Sequence, residues 1–150
     1  MIVYRQGDRK LFYSSFGIGF AFISNMKTAV ITDDSELIDM LNKMNIARQY
    51  RFSFYNESHE PLDIMSMVCS SNPGLLIVDD DFVKPNTSPL LKSIKKVCPR
   101  IEIIFIASDS NIDLGREISP LGIRYYDIKP VDSGDLEASL ESLLSIKNPS

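Results

Sequence analysis

From Thr28 onward the chain alternates between short β-rich apolar runs and longer stretches with helical spacing, and this alternation constrains the fold more than any other feature. "TAVIT" (Thr28–Thr32) is a β-branched run. "SELIDMLNKMN" follows it, with Leu37, Met40, Leu41 and Met44 at helical intervals and Ser35 available as a cap. "YRFSFY" (Tyr50–Tyr55) alternates as a half-exposed strand does. "SHEPLDIMSMVCSS" then sets Leu62, Met65, Val68 and Cys69 on one helical face, and an Asn72-Pro73-Gly74 turn stops it. Next come "LLIV" (Leu75–Val78), a loop through Pro85, the helical "SPLLKSIKKV" and the strand "IEIIFIA" (Ile101–Ala107). A weaker helix over Asn111–Leu121, the strand "IRYYDI" (Ile123–Ile128) and the helix "DLEASLESLLSI" complete five strands and five helices. Strands that are apolar on both faces must be covered on both faces, so the pattern predicts an α/β fold: a doubly wound parallel five-stranded sheet.

In such sheets the functional crevice lies beyond the carboxyl ends of the strands. Three strand ends therefore belong together: Asp33-Asp34, Asp79-Asp80-Asp81 and Lys129. The stretch "LLIVDDDF" (Leu75–Phe82) runs from four apolar residues straight into three carboxylates that repel one another. If the first and third strands are neighbours, Asp33, Asp34 and Asp79 converge, and they cannot all stay ionised without a compensating cation. A hard divalent ion is the usual answer. Magnesium fits best, because it accepts one or two carboxylates, keeps waters and shares itself with a phosphoryl group. Lys129 would add a point charge for phosphate oxygens. Such a set could bind and stabilise a phosphoryl group on a carboxylate, chemistry that rests on positioning and charge neutralisation.

With these residues in view, the segment from about Lys27 to Lys147 resembles the receiver domain of two-component response regulators. "AVITDD" is similar to the family's first strand and acidic pair, and "PGLLIVD" to its third strand, with Asp79 at the phospho-acceptor position. "GIRYYDIKPV" is similar to the signature around the family's lysine, matching Lys129 and Pro130. The resemblance implies a (βα)5 flavodoxin/CheY-like sheet in strand order 2-1-3-4-5, formed by residues 26–147. It implies a phosphotransfer switch rather than an enzyme, at most catalysing its own phosphotransfer. A sensor histidine kinase or phosphotransfer protein would donate to Asp79. Asp33, Asp34, Asp79 and the backbone carbonyl of Asp81 would hold magnesium, and Tyr126 matches the aromatic that reorients on activation. Asp80 is left as exposed loop charge. With no room for a separate output domain, output would pass through an effector protein. Homodimerisation is one option, through the face of the fourth helix, fifth strand and fifth helix, which would include Arg124 and Tyr126.

Two departures bear on that switch. The family carries a threonine or serine at the end of its fourth strand, where "IEIIFIAS" puts Ala107, with Ser108 one residue later. Adjacent side chains of a strand point to opposite faces, so Ser108 can substitute only where the strand bends. A lost hydroxyl hydrogen bond to a charged group is worth about 1.5–3 kcal/mol, comparable with the bias that shifts a two-state equilibrium. The loop after Asp79 also differs, with Val83 at the family's usual proline position and "VKPNTS" replacing its turn. The expectation is that Asp79 can be phosphorylated, with a blunted or differently wired response.

Other classes are weighed against this one. "LLIVDDDFV" also fits the apolar-strand and DxDx(T/V) pattern of haloacid-dehalogenase-like phosphatases, with Asp79 as nucleophile and Asp81 as acid/base. Those enzymes place an acidic motif after the lysine, whereas here only Asp132 and Asp135 follow Lys129. A third reading keeps the fold as a non-phosphorylated binding module. The net charge of −4, without a basic stripe, argues against a nucleic-acid surface; Lys92, Lys95 and Lys96 read as the solvated side of a helix. Cys69 and Cys98 read as two free core thiols in a reducing compartment, and His59, the only histidine, as a surface residue. The longest uncharged run, Leu11 to Met26, is too short to span a bilayer, and no small-x-small cleavage site follows it. A cytoplasmic protein is expected. Residues 1–25 stand apart from the alternation. "IVYRQGDRKLFY" could turn as a hairpin at Gly7-Asp8 with "FGIGFAFI" a further strand, or the segment is an extension or misplaced start; residues 148–150 read as a tail.

Overall fold

A computed structural model describes residues 2–6, 9–13 and 26–147. Five strands, β1 (Thr28–Ile31), β2 (Phe52–Tyr55), β3 (Leu75–Asp79), β4 (Glu102–Ala107) and β5 (Tyr125–Ile128), form one parallel sheet in the order β2-β1-β3-β4-β5. This is the expected doubly wound order 2-1-3-4-5. The strand sequences explain who sits where. Leu75–Val78 and Ile103–Ile106 are wholly buried and form the centre, whereas the edge strand β5 exposes alternate residues and β2 exposes Ser53 with its other residues half-buried.

Alternation along the strands sorts the core into two faces. On one, Ala29, Ile31, Leu76, Val78, Ile103 and Phe105 pack against α2 (Pro61–Ser71), α3 (Thr87–Val97) and α4 (Ile112–Ile118). On the other, Val30, Leu75, Ile77, Ile104 and Ile106 meet α1 (Ser35–Lys43) and α5 (Ser133–Lys147) through Leu37, Leu41, Leu136 and Leu140. A single helical turn, Asp80–Val83, stands where the sequence suggests only loop. The weaker helix is shorter than expected, because Ser119–Leu121 tightens into a 3-10 turn around Pro120. That turn ends at Gly122, whose φ of +74° only glycine adopts freely.

Three local expectations are corrected. The cap of α1 is Asp34 rather than Ser35: its Oδ1 accepts the N–H groups of Glu36 and Leu37 at 2.9 and 3.3 Å. On α2 the buried stripe is Ile64 and Val68, and Leu62 is 82% exposed. Pro61 starts that helix, and Ile64 and Val68 are spaced one turn apart, so Leu62 is carried to the outer side. Cys69 follows it outward and is exposed.

Near the N-terminus, Ile2–Gln6 and Arg9–Tyr13 pair antiparallel in a separate two-stranded sheet, with Gln6 opposite Arg9. "FGIGFAFI" and residues 148–150 lie outside the described residues. Among the described residues no helix is long and apolar enough to cross a membrane.

The two helical positions give a direct check on the packing. Ile64→Ala should lower the unfolding free energy by about 2–5 kcal/mol. Leu62→Ala should change it by less than about 0.5 kcal/mol. Both are read from urea midpoints at constant slope.

Candidate functional site

The carboxyl ends of β1, β3 and β5 supply the site. Beyond β1, Thr32 is fully buried. Its hydroxyl donates to Asp79 Oδ2 at 2.7 Å and accepts the Asp34 N–H at 3.0 Å. Thr32 thus ties the first acidic segment to the second. Sequence reasoning passed over it as one more β-branched residue. A hydroxyl next to an acidic pair at a buried strand end was the available signal.

Asp79 closes β3 and is fully buried. Its Oδ1 accepts the Asp81 N–H at 3.1 Å, which caps the Asp80–Val83 turn. Lys129 follows β5, held there by its own N–H donating to the Ala107 carbonyl at 3.0 Å. Its ammonium donates to Asp34 Oδ2 at 3.0 Å, to Asp79 Oδ2 at 3.1 Å and to Asp81 Oδ2 at 2.9 Å, and forms an ion-pair contact with Asp79 Oδ1 at 3.0 Å. Asp81 gains a second cation, Lys84, at 2.9 Å. Asp33 is exposed and is not among the partners of Lys129. Repulsion within the acidic run is therefore offset by lysine.

The titrations follow this geometry. Burial works against the Lys129 ammonium, yet the hydrogen bonds it donates to Asp81, Asp34 and Asp79 outweigh it and hold its pKa above the ordinary lysine value. Burial likewise opposes ionisation of Asp34, but Lys129 and the helix N–H groups bring its pKa below 3.8. Lys129 and then Lys84 hold the Asp81 carboxyl well below the usual carboxylate range.

Asp80 corrects the expectation of an exposed loop charge. It is 6% exposed, and its carboxylate accepts from the hydroxyls of Thr87, at the start of α3, and Ser108, the latter at 2.8 Å. Ala107 is buried in the core face with Phe105. The nearest hydroxyl on this strand thus belongs to Ser108 and is engaged by Asp80. Tyr126, 38% exposed, lies 5.5 Å from the Phe105 ring and lines a groove of about 740 Å³ with Ile112, Gly115, Ile118 and Ile123. Burial and the charges of Asp80 and Asp109 push its hydroxyl pKa up.

His59 is exposed as expected but is not idle. Its ring stacks on Phe82 at 4.0 Å between centroids, and Nδ1 lies 2.9 Å from the Phe82 carbonyl oxygen. Because a carbonyl only accepts, Nδ1 carries the proton and braces the turn after Asp79. Asp132, which a phosphatase reading would want near the lysine, instead caps α5 by accepting the Asp135 N–H at 2.8 Å.

Among the described residues no three histidine, cysteine or acidic side chains are arranged as a metal-binding group. The chemistry of the donors nevertheless fits magnesium. Asp34, Asp79 and Asp81 are hard oxygen donors that converge on the Lys129 ammonium, and Asp34 and Asp81 retain solvent access, 30% and 40%.

No family model and no curated protein matches the sequence. Solved structures do match in fold. A response regulator receiver domain protein from Methanospirillum hungatei superposes with a TM-score of 0.69 at 16% identity, covering 83% of this chain and 97% of that one. The signal receiver domain of a DNA-binding response regulator from Colwellia psychrerythraea gives 0.67 at 21%, covering 81% and 99%. A protein from Sinorhizobium meliloti described with pilus assembly gives 0.61 at 15%, covering 77% and 98%. The chain has the fold of response regulator receiver domains.

Two predictions follow from the shared ammonium. Lys129→Met leaves Asp79 buried without its cation and should destabilise the protein by up to about 3 kcal/mol, at the low end for buried pairs because Asp34 and Asp81 reach solvent. Adding Asp79→Asn should recover part of that loss. The depressed pKa values of Asp34 and Asp81 contribute stability above the usual 3.8 that is lost as pH falls through their folded values. Urea midpoints of wild type should therefore fall steeply below about pH 4, and those of Lys129→Met less steeply.

Proposed function

We propose that this chain is a receiver domain, formed by residues 26–147 with 1–25 an extension and 148–150 a tail, which accepts a phosphoryl group on Asp79. The observation that carries the reading is the meeting of Asp79, Asp34 and Lys129 at the carboxyl ends of three strands. A sensor histidine kinase or phosphotransfer protein is the donor, an effector protein receives the signal, and the cytoplasm is the setting.

An Asp79 carboxylate oxygen attacks phosphorus, and the bond between phosphorus and the donor breaks. Thr32 and the Asp81 N–H fix the orientation of that carboxylate beforehand. Lys129, already touching both Asp79 oxygens, needs only to redirect an N–H to stabilise charge on the phosphoryl oxygens. Asp33, Asp34, Asp79 and the Asp81 carbonyl would hold magnesium, which supplies neutralising positive charge when bound. The chain is not an enzyme acting on other substrates; any catalysis is of its own phosphotransfer.

The methyl side chain of Ala107 has no hydroxyl to offer the phosphoryl group. The response is therefore wired through Ser108, which must leave Asp80 before it can turn to another acceptor. Tyr126, packed on Phe105 at the surface strand, is the aromatic that reports this change, and it belongs to the α4-β5-α5 face that would serve an effector or a second copy.

Acetyl phosphate with magnesium should add one phosphate, located on Asp79 by mass spectrometry and absent from Asp79→Asn. No added phosphate, together with no magnesium-dependent NMR change, would support a binding module instead. Ala107 and the engagement of Ser108 by Asp80 are what favour that second reading. Ser108→Ala should leave phosphorylation of Asp79 in place while lowering stability by about 1–2 kcal/mol, read by urea unfolding, because Asp80 then keeps Thr87 as its one hydroxyl donor.

A further inference from the structure

α2 and α3 lie side by side on one face of the sheet, where Val68 and Ile94 share an apolar cluster that Cys98 packs against. Both helices run back against parallel strands, so their C-terminal ends reach the same edge of the sheet. There β3 and β4 begin in register, Leu75 opposite Glu102. Cys69 occupies the last turn of α2, and Cys98 ends α3, its N–H donating to the Ile94 carbonyl. They are the only cysteines of the chain, and both are free thiols. Cys69 is exposed and Cys98 half-buried. Burial pushes the Cys98 thiol pKa up, and the neighbouring Cys69 side chain pushes it the same way. The sequence, with two unrelated apolar contexts, gives no hint of this juxtaposition.

We propose that Cys69 and Cys98 are a redox-sensitive pair that hydrogen peroxide converts to an intramolecular disulfide across the ends of α2 and α3. Exposed Cys69 reacts first. Its sulfur attacks the peroxide, an S–O bond forms as the O–O bond breaks, and the product is a sulfenic acid plus water. The Cys98 sulfur then attacks Cys69 Sγ, forming S–S and expelling the oxygen as a second water with the Cys98 proton. Two thiols lose two electrons and the peroxide gains them. The closed ring contains all of β3 and therefore Asp79. The bridge itself lies at the far end of the sheet from Lys129 and touches no residue of that site. Its effect is to restrict separation of the two helices and to shorten the free unfolded chain. This inference rests on where Cys69 and Cys98 stand at the ends of α2 and α3, and so stands or falls separately from the phosphoryl-acceptor reading.

The test treats the reduced full chain with a small excess of hydrogen peroxide, blocks remaining thiols with iodoacetamide and digests with trypsin without reductant. The expected product is peptide 97–100 disulfide-linked to peptide 52–92, with both thiols recovered by dithiothreitol. Peptides decide the outcome, because oxidised methionines alter the intact mass. Cys98→Ser should leave Cys69 trapped by dimedone as sulfenic acid, and wild type should show much less of that adduct. Oxidised wild type should also unfold at a higher temperature than the reduced protein. Alkylation of both thiols after oxidation, separate conversion to sulfinic acids, or disulfides found only between chains would each overturn the proposal.

Discussion

One ammonium group holds the functional end of this molecule together. Lys129, arriving from β5, donates to carboxylates contributed by the start of α1, the end of β3 and the turn that follows it. Asp79 is fully buried. A buried carboxylate is tolerated where its charge is compensated and its lone pairs are used. Thr32, the Asp81 N–H and Lys129 together meet both conditions. The same contacts that make the acidic run tolerable also fix a carboxylate oxygen and a cation side by side at the carboxyl ends of the strands, so fold stability and the proposed chemistry share one set of bonds.

The sheet delivers these groups to one place. Its strand order reverses between β1 and β3, which is where a doubly wound sheet opens a crevice. Central strands with four consecutive buried apolar residues leave no freedom of register, because a slip by one residue would exchange the two core faces. That rigidity puts Thr32, Asp79 and Lys129 in reach of one another without any of them being close in sequence. A second carboxylate, Asp80, uses the same strand end differently. It gathers Thr87 and Ser108, and so links the starts of the two connections that follow β3 and β4.

Legibility in the sequence divides along physical lines. Parallel topology, two-sided burial and the meeting of Asp34, Asp79 and Lys129 were readable, because apolar periodicity and charges at strand ends are local patterns with one sensible three-dimensional solution. What stayed hidden depended on side-chain direction across elements. Whether Asp80 faces solvent or turns inward is decided by Thr87 and Ser108, seven and twenty-eight positions away in sequence. Leu62 and Ile64 are both plausible core residues of α2, and only the placement of the helix against the sheet chooses between them. The cap of α1 passed from Ser35 to Asp34 for a similar reason: a carboxylate can cap the helix with one oxygen while the other meets Lys129.

NMR of the lysine side-chain ammonium groups addresses the arrangement most directly. The account predicts a slowly exchanging Lys129 Nζ resonance with hydrogen-bond couplings to carboxyl carbons of Asp34, Asp79 and Asp81, and loss of the Asp79 coupling in Asp79→Asn. An ammonium at Lys129 exchanging as fast as those of solvent-facing lysines such as Lys92, with no coupling to any of the three, would contradict it.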